Sequence, residues 1–269
     1  MRILIVGDVV GRPGRHACAR LVPRLIREHK IDFVLANGEN AAAGSGITAA
    51  IFSKLRNMGI DACTLGDHIY KRREVLPLLE SSERVVKSAN LPPEAVGQPL
   101  IIVPGRNGAR VAVFSLLGRT YMNVRADCPF HAADRVLGQI PRDVKIVLVD
   151  VHAETTSEKV ALGWYLNGKV TAVFGTHTHV PTADERILPG GTAYITDVGM
   201  TGPYDSVLGR DRDAVIKALV TGMPHPYEVA SRDVRLSGVI VEADPGTGRA
   251  LAIERVFLPE ESPPPPDEP

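Results

Sequence analysis

Two histidines stand two apart in FGTHTHVP, residues 174–181, directly after an apolar run. Alternate side chains of an extended segment share a face, so His177 and His179 are expected to turn both imidazoles toward one place. Alone, such a pair is more readily two surface or hydrogen-bonded histidines. Four other stretches give it a context. RILIVGD (2–8) ends in Asp8, and DFVLAN (32–37) runs into Gly38-Glu39-Asn40. DACTLG (61–66) runs into Asp67-His68, and KIVLVDVH (145–152) ends in His152. Each has an ordinary explanation: Asp8 as a helix cap, Glu39-Asn40 as a turn, His152 as a satisfied core histidine. Five apolar runs that all deliver polar side chains at the C-terminal end point instead to one shared site. That edge is where open α/β sheets bind their ligands.

Oxygen donors mixed with imidazole suit manganese, iron or zinc better than a thiolate site would, and no cysteine joins the set. Three carboxylates (Asp8, Glu39, Asp67) and three histidines (His152, His177, His179) exceed the roughly three protein ligands of one catalytic ion. Two ions sharing a bridging carboxylate would use them all. Such a pair, ~3.5–4 Å apart, is the recurrent clamp for phosphoryl hydrolysis.

The elements that must position these residues are legible as β–α alternation. Helical stretches are expected near Pro13–His29, Thr48–Met58, Arg73–Leu79 and Arg210–Thr221. Further apolar runs lie at 84–90, 99–105, 110–118 and 192–199. The segments 234–244 and 250–259 read as two antiparallel strands around PGTG. The pattern argues for an α/β fold of two mixed sheets packed as a sandwich, with helices on the outer faces. No repeat or linker interrupts it, so residues 1–259 are expected to form one domain. The proline-rich, acidic end from 260 to 269 is expected to be a disordered tail. The irregular stretch 119–131 could form a small cap over a site.

The 269 residues carry equal numbers of Lys+Arg and Asp+Glu, 31 of each. That balance gives no reason to expect stable DNA binding. No stretch approaches the ~18 apolar residues of a membrane span. Cys18, Cys63 and Cys128 form no CxxC and read as reduced thiols, which suits a cytoplasmic protein. A homodimer or homotetramer is compatible with the sequence.

GD at the first strand, GEN at the second, GDH at the third, a lone histidine and then GTHTH resembles the ordered motif set of the calcineurin-like metallophosphoesterases. The closer resemblance is to their YmdB-like bacterial branch, which is similar to phosphodiesterases active on 2′,3′-cyclic nucleotides. It extends over GDVVGRPGR, ANGENAAAGSGIT, KSAN and TDVGMTGPYDSVLG, essentially the whole chain to about residue 259.

The resemblance implies that Asp8, Asn40 and His179 hold one ion, that Asp67, His152 and His177 hold a second, and that Glu39 bridges both. Iron or manganese is the expected metal, with zinc or magnesium as alternatives. His68 would sit beside the phosphate as a catalytic group that binds no metal. A hydroxide between the ions would attack, and His68 would protonate the leaving alkoxide. The superfamily usually has a histidine where Val10 stands, and Asn40 would be the replacement ligand, as in the YmdB-like branch. It usually has asparagine where Asp67 stands, and the extra negative charge should tighten the second ion. The implied substrate is a small phosphoester, such as the cyclic nucleotide 2′,3′-cAMP. The alternatives are a phosphomonoesterase or phosphoprotein phosphatase, or a metal-binding regulatory module.

Candidate substrate contacts come from two walls. Tyr204, Asp205 and Ser206 lie in a glycine-rich stretch that is either a structured turn or a pocket wall beside His179. Arg12 and Arg119 are either phosphate contacts or surface residues.

Overall fold

The computed structural model describes residues 1–261, so residues 262–269 of the expected tail lie outside the description. Glu260 still belongs to the sheet edge, its backbone N–H donating to Val234 O. Among the described residues the chain forms six α-helices and two mixed sheets.

The first sheet contains β1 (Arg2–Val6), β2 (Asp8–Val9), β3 (Phe33–Asn37), β4 (Ala62–Thr64), β5 (Val85–Val86), β12 (Met200–Pro203), β13 (Val234–Ala243) and β14 (Ala250–Pro259). Its order is β2-β12-β13-β1-β3-β4-β5, with β14 also paired to β13. The second contains β6 (Ile101–Pro104), β7 (Arg110–Leu117), β8 (Ile146–His152), β9 (Ala172–Thr176), β10 (Arg186–Ile187) and β11 (Ala193–Ile195). Its order is β10-β11-β9-β8-β7-β6. β1, β3 and β4 run parallel in the first sheet, and β7, β8, β9 and β11 in the second.

The period-two alternation of strands divides the side chains into three apolar layers. Ile3, Ile5, Phe33, Leu35, Leu148 and Phe174 fill the space between the sheets. Leu4, Val34 and Cys63 face the other way, onto Ala17, Leu21 and Leu25 of α1 (Gly11–His29) and Leu55 of α2 (Ala49–Asn57). Phe114, Val147, Val149 and Val173 face α4 (Pro129–Leu137) and α5 (Thr156–Leu166) on the opposite outer surface. Two sheets with helices outside is the architecture expected above. The remaining helices are α3 (Leu76–Ser81) and α6 (Arg212–Thr221). No described helix is long and apolar enough to cross a membrane.

Several details depart from the sequence reading. The first apolar run is two strands, because Gly7 lets the chain pass hard against Gly199: a Cβ there would lie 2.0 Å from Gly199 O. β1 pairs with β13, while β2 pairs with β12. The run 84–90 contributes only Val85–Val86. Helices α4 and α5 are not anticipated above, and α4 begins inside the stretch read as irregular. Residues 119–127 remain outside any helix or strand. They are held by Glu158, which accepts from the Arg119 and Thr120 N–H groups, and by Asn90, bonded to Asp127.

Close approach of α1 to β12 rests on Gly14, where a Cβ would lie 2.2 Å from Thr201 O. Backbone cannot yield as a flexible side chain can, so Gly14→Ala is expected to cost ~1–3 kcal/mol, the usual penalty of overpacking. A lowered urea midpoint with an unchanged slope is the measurement that checks it.

Candidate metal centre

Five strand ends meet at one edge of the sandwich, three from the first sheet and two from the second. Asp8 opens β2, Glu39-Asn40 follow β3, Asp67-His68 follow β4, His152 closes β8, and the His177–His179 turn follows β9. Asp8, Glu39, Asn40 and His152 are all buried.

Glu39, Asp67, His152 and His177 form a compact group, with one potential ligand atom from each lying within 4.8 Å of all the others. His152 Nε2 is 3.1 Å from Glu39 Oε1, 3.0 Å from Asp67 Oδ1 and 3.0 Å from His177 Nδ1. His177 Nδ1 is 3.3 Å from Asp67 Oδ1. A second group adjoins it. Asn40 Nδ2 lies 3.2 Å from His179 Nε2, 3.5 Å from Asp8 Oδ1 and 3.4 Å from Glu39 Oε1. His179 Nε2 is 3.7 Å from Asp8 Oδ1. Glu39 therefore faces both groups.

The histidine turn corrects the expectation drawn from strand alternation. His177 and His179 do not share an extended segment. Both have left-handed backbone, with φ of 89° and 64°, a conformation costly for non-glycine residues. The turn sends His177 to the group around Asp67 and His179 to the group around Asp8. Gly66 matters for a different reason: a Cβ there would lie 2.3 Å from His152 Nε2 and 2.4 Å from Glu39 Oε2. Only glycine lets those two side chains meet in front of Asp67.

His68 lines the open side of the site. Its Nδ1 is 2.8 Å from Asn40 Oδ1, and its backbone N–H donates to Glu39 Oε2 at 3.1 Å. It borders a cavity of about 310 Å³, together with Val10, Gly44, Glu154, Leu208 and Arg210.

The expected substrate contacts are placed elsewhere. Tyr204 donates to Met200 O and stacks edge-on against Phe257. Asp205 pairs with Arg212 and Arg232. Ser206 donates to Pro203 O and accepts from Gly209 N–H, so it shapes its own turn. The glycine-rich stretch does reach the cavity, but through Leu208 and Arg210, one turn further along. Arg12 and Arg119 are not among the residues lining the cavity.

Other residues escaped the sequence reading. Glu154 Oε2 is 3.2 Å from His177 Nε2. Asp150, fully buried, accepts from Thr64 Oγ1, Thr176 Oγ1 and Asn37 Nδ2 at 2.5, 2.6 and 3.1 Å. Thr176 Oγ1 in turn lies 2.8 Å from His152 Nδ1. Because the Thr176 proton is committed to Asp150, His152 Nδ1 must donate to the hydroxyl. That leaves the Nε2 lone pair free for the site, the usual way an outer partner fixes an imidazole ligand. The signal was present in the sequence, since Asp150 and His152 share a face of β8, but nothing there ties Asp150 to Thr176.

Among the described residues, the ion-pair partners of Asp8, Glu39 and Asp67 are all histidines. Burial alone would raise the Asp8 carboxyl, but its hydrogen bond to His179 and the charges of His179 and His152 hold it down at about 2. Asp67 is likewise lowered: burial opposes ionisation, and the bonds to His152 and His177 outweigh it. Against the effect of burial, carboxylates raise His152 through Glu39 and Asp67, and His179 through Asp8. Three carboxylates answered only by imidazoles form a site that fits a metal cation. The donors are oxygen and nitrogen, and a cation can take the place of the protons that the imidazoles otherwise carry.

A family model described as YmdB-like protein matches residues 4–256. The chain is 46% identical to the 2′,3′-cyclic-nucleotide 2′-phosphodiesterase of Bacillus subtilis strain 168, over 96% of this chain and 97% of that protein. The crystal structure of a hypothetical protein from Thermus thermophilus superposes with a TM-score of 0.90 at 40% identity, covering 97% of this chain and 100% of that one. The crystal structure of a phosphatase from Mycoplasma pneumoniae also gives 0.90, at 32% identity, over 98% and 95% of the two chains.

A pH dependence follows for the metal-free protein. The raised His152 and His179 contribute stability that is present below about pH 6.5, the ordinary histidine range, and lost as pH rises through their folded values. The depressed Asp8 contributes stability that is present above 3.8 and lost as pH falls through about 2. Metal binding requires neutral imidazole and so gains with pH. The rise in melting temperature on adding Mn²⁺ to chelator-stripped protein is expected to be larger at pH 8 than at pH 6. Thermal scans of both forms at both pH values check this.

Proposed function

The chain belongs to the YmdB-like family, and from that premise we propose that it is a metal-dependent phosphodiesterase hydrolysing cyclic nucleotides such as 2′,3′-cAMP. The observation that carries the reading is Glu39, buried between two groups of donors, with Oε1 3.1 Å from His152 Nε2 and 3.4 Å from Asn40 Nδ2. A shared carboxylate in that position supports two ions rather than one. Asp8, Asn40 and His179 would hold the first, and Asp67, His152 and His177 the second. The mixed oxygen and imidazole donors favour iron or manganese, with zinc or magnesium as substitutes. When bound, such ions polarise phosphoryl oxygens and acidify water. Reduced thiols at buried Cys18 and Cys63 suit a cytoplasmic setting.

The chain's own residues supply the rest. An amide ligates a cation only through its oxygen. Turning Asn40 Oδ1 inward exchanges the amide atoms, so Nδ2 donates to His68 Nδ1. That bond leaves the His68 proton on Nε2, where it can pass to the leaving alkoxide. Asp67 adds a full negative charge where the superfamily usually has a neutral amide. Its Oδ1 faces His152 and His177, and its Oδ2 is 3.7 Å from His68 Nε2. The carboxylate therefore strengthens retention of the second ion and steadies His68 together. Val10 and Leu208 give the cavity apolar walls, and about 310 Å³ is room for a small phosphoester.

The test is a panel of 2′,3′- and 3′,5′-cyclic nucleotides and aryl phosphate mono- and diesters, each assayed with Mn²⁺, Fe²⁺, Zn²⁺ and Mg²⁺. Turnover is expected to be highest on the 2′,3′-cyclic nucleotides and to vanish with chelator, with two metals per chain by elemental analysis. Preference for monoesters favours the phosphatase alternative. Metal uptake without turnover on any ester favours the regulatory module. A single tightly held ion overturns the dinuclear assignment.

His68 is separable from the ligands. His68→Ala is expected to keep both metals while turnover falls ~10²–10⁴-fold, the usual worth of a positioned general acid. Loss of one metal in that variant would make His68 a ligand instead.

A further inference from the structure

Beneath the histidine turn lies a buried ion pair that the metal groups do not use. Lys159 of α5 and Asp197, on the loop between β11 and β12, each have side chains only 1% exposed, with Nζ 2.7 Å from Asp197 Oδ2. An isolated buried pair is a poor stabiliser, because desolvation offsets the attraction. What surrounds this pair gives it a role. Thr178, between the two histidines of the turn, donates its hydroxyl to Asp197 Oδ2 at 2.5 Å and receives Lys159 Nζ at 3.0 Å. Asp197 Oδ1 accepts the Gly199 N–H at 2.7 Å. Gly199 O accepts the Asp8 N–H, and Asp8 Oδ2 accepts the His177 N–H at 3.2 Å. The contacts close into a ring: Asp8, Gly199, Asp197, Thr178, His177 and back to Asp8. The ring crosses from the first sheet to the second at the site itself. Gly175 keeps the passage open, since a Cβ there would lie 1.7 Å from Thr196 O and 2.8 Å from Lys159 Cδ.

We infer that Asp197, held by Lys159, is a positioning residue that fixes the His177–His179 turn through Thr178. It thereby sets the spacing of the two donor groups. The inference rests on the dinuclear metal reading given above. Neither histidine adopts its left-handed backbone freely, so the turn needs an anchor. Thr178 Oγ1 is the side-chain atom on the turn that bonds to the buried Lys159–Asp197 pair. Lys159 Nζ, 2.7 Å from Asp197 Oδ2, holds that oxygen against the hydroxyl, while Oδ1 is committed to Gly199. Asp197 touches no donor atom of the centre and acts only through the backbone of the turn.

Thr178→Val tests this with little disturbance. Valine keeps the branched shape, Thr178 is only partly buried, and the Lys159–Asp197 pair remains. Metal affinity is read by competition of Mn²⁺ alone against a fluorescent chelator. The variant is expected to bind Mn²⁺ ~10–100-fold more weakly, as is usual when an outer support is lost. It is expected to lose kcat with little change in KM, and Thr178→Ser should restore both. The metal-free melting temperature is expected to stay close to the parent's. Parent-like Mn²⁺ affinity in Thr178→Val overturns the inference while leaving the metal reading intact. A parent protein that takes up no Mn²⁺ overturns the metal reading, and the inference with it. Weak binding that serine does not restore also counts against the hydroxyl's role.

Discussion

Asp8, Glu39 and Asp67 converge at the meeting edge of two sheets, and two of the three are almost completely buried. Two like charges ~4 Å apart repel by about 4 kcal/mol at the effective dielectric of a protein, a large share of a domain's total stability. The fold can hold three only if positive charge enters with them. Protonated imidazole supplies part of it, which is why His152 and His179 are pushed up while Asp8 and Asp67 are pulled down. A metal cation supplies it more completely and frees the imidazoles of their protons. The rest of the molecule can be read as the apparatus that forces these carboxylates together and keeps them from separating.

The sandwich provides the force. Between the sheets, Ile3, Ile5, Phe33, Leu35, Leu148 and Phe174 form a continuous apolar layer. At its C-terminal end the same strand faces turn polar: Asn37 follows Leu35, Thr64 follows Ala62, Asp150 follows Leu148 and Thr176 follows Phe174. These four are hydrogen-bonded to one another, with Asp150 pushed up to about 6 by burial and Thr176 steadying His152. The site therefore rests on a polar floor continuous with the core. A floor of that kind resists the sideways motion that repelling carboxylates would otherwise drive.

Local backbone carries the remaining cost. Left-handed conformations at His177 and His179 store of the order of 1–3 kcal/mol each, sustained by bonds to Asp8, Leu208 and the Thr178 anchor. Glycine appears where the alternative is a clash: Gly7 against Gly199, Gly66 against His152 and Glu39, Gly175 against Thr196. At Gly66 the missing Cβ is space that two donor side chains occupy, and at Gly7 and Gly175 it is space that the loop between β11 and β12 occupies.

The sequence alone made most members of the candidate site legible as one cluster. Apolar runs ending in Asp8, Glu39-Asn40, Asp67-His68, His152 and His177/His179 are local facts, and strand periodicity with a fixed C-terminal edge turns them into a common location. It also determined two sheets with outer helices, because alternation between strand and helix patterns is local too. Some short-range signals failed for short-range reasons. α5 has Gly163 in its middle and buries Lys159, so its apolar stripe is weak and the helix went unseen. α4 was hidden behind the irregular approach to Pro129. Tertiary structure alone decided what depends on partners far apart in the chain. It holds His177 and His179 in left-handed backbone, against the strand rule, with the His177 N–H bonded to Asp8 and His179 Nδ1 to Leu208 O. It gives the cavity Leu208 and Arg210 rather than Tyr204, Asp205 and Ser206. It pairs Lys159 with Asp197, and Asp150 with Thr64 and Thr176. No periodicity records such pairings, since the folded chain alone brings the partners together: Asp150 meets Thr64 across the two sheets and Thr176 on the neighbouring strand, and Lys159 reaches Asp197 from α5.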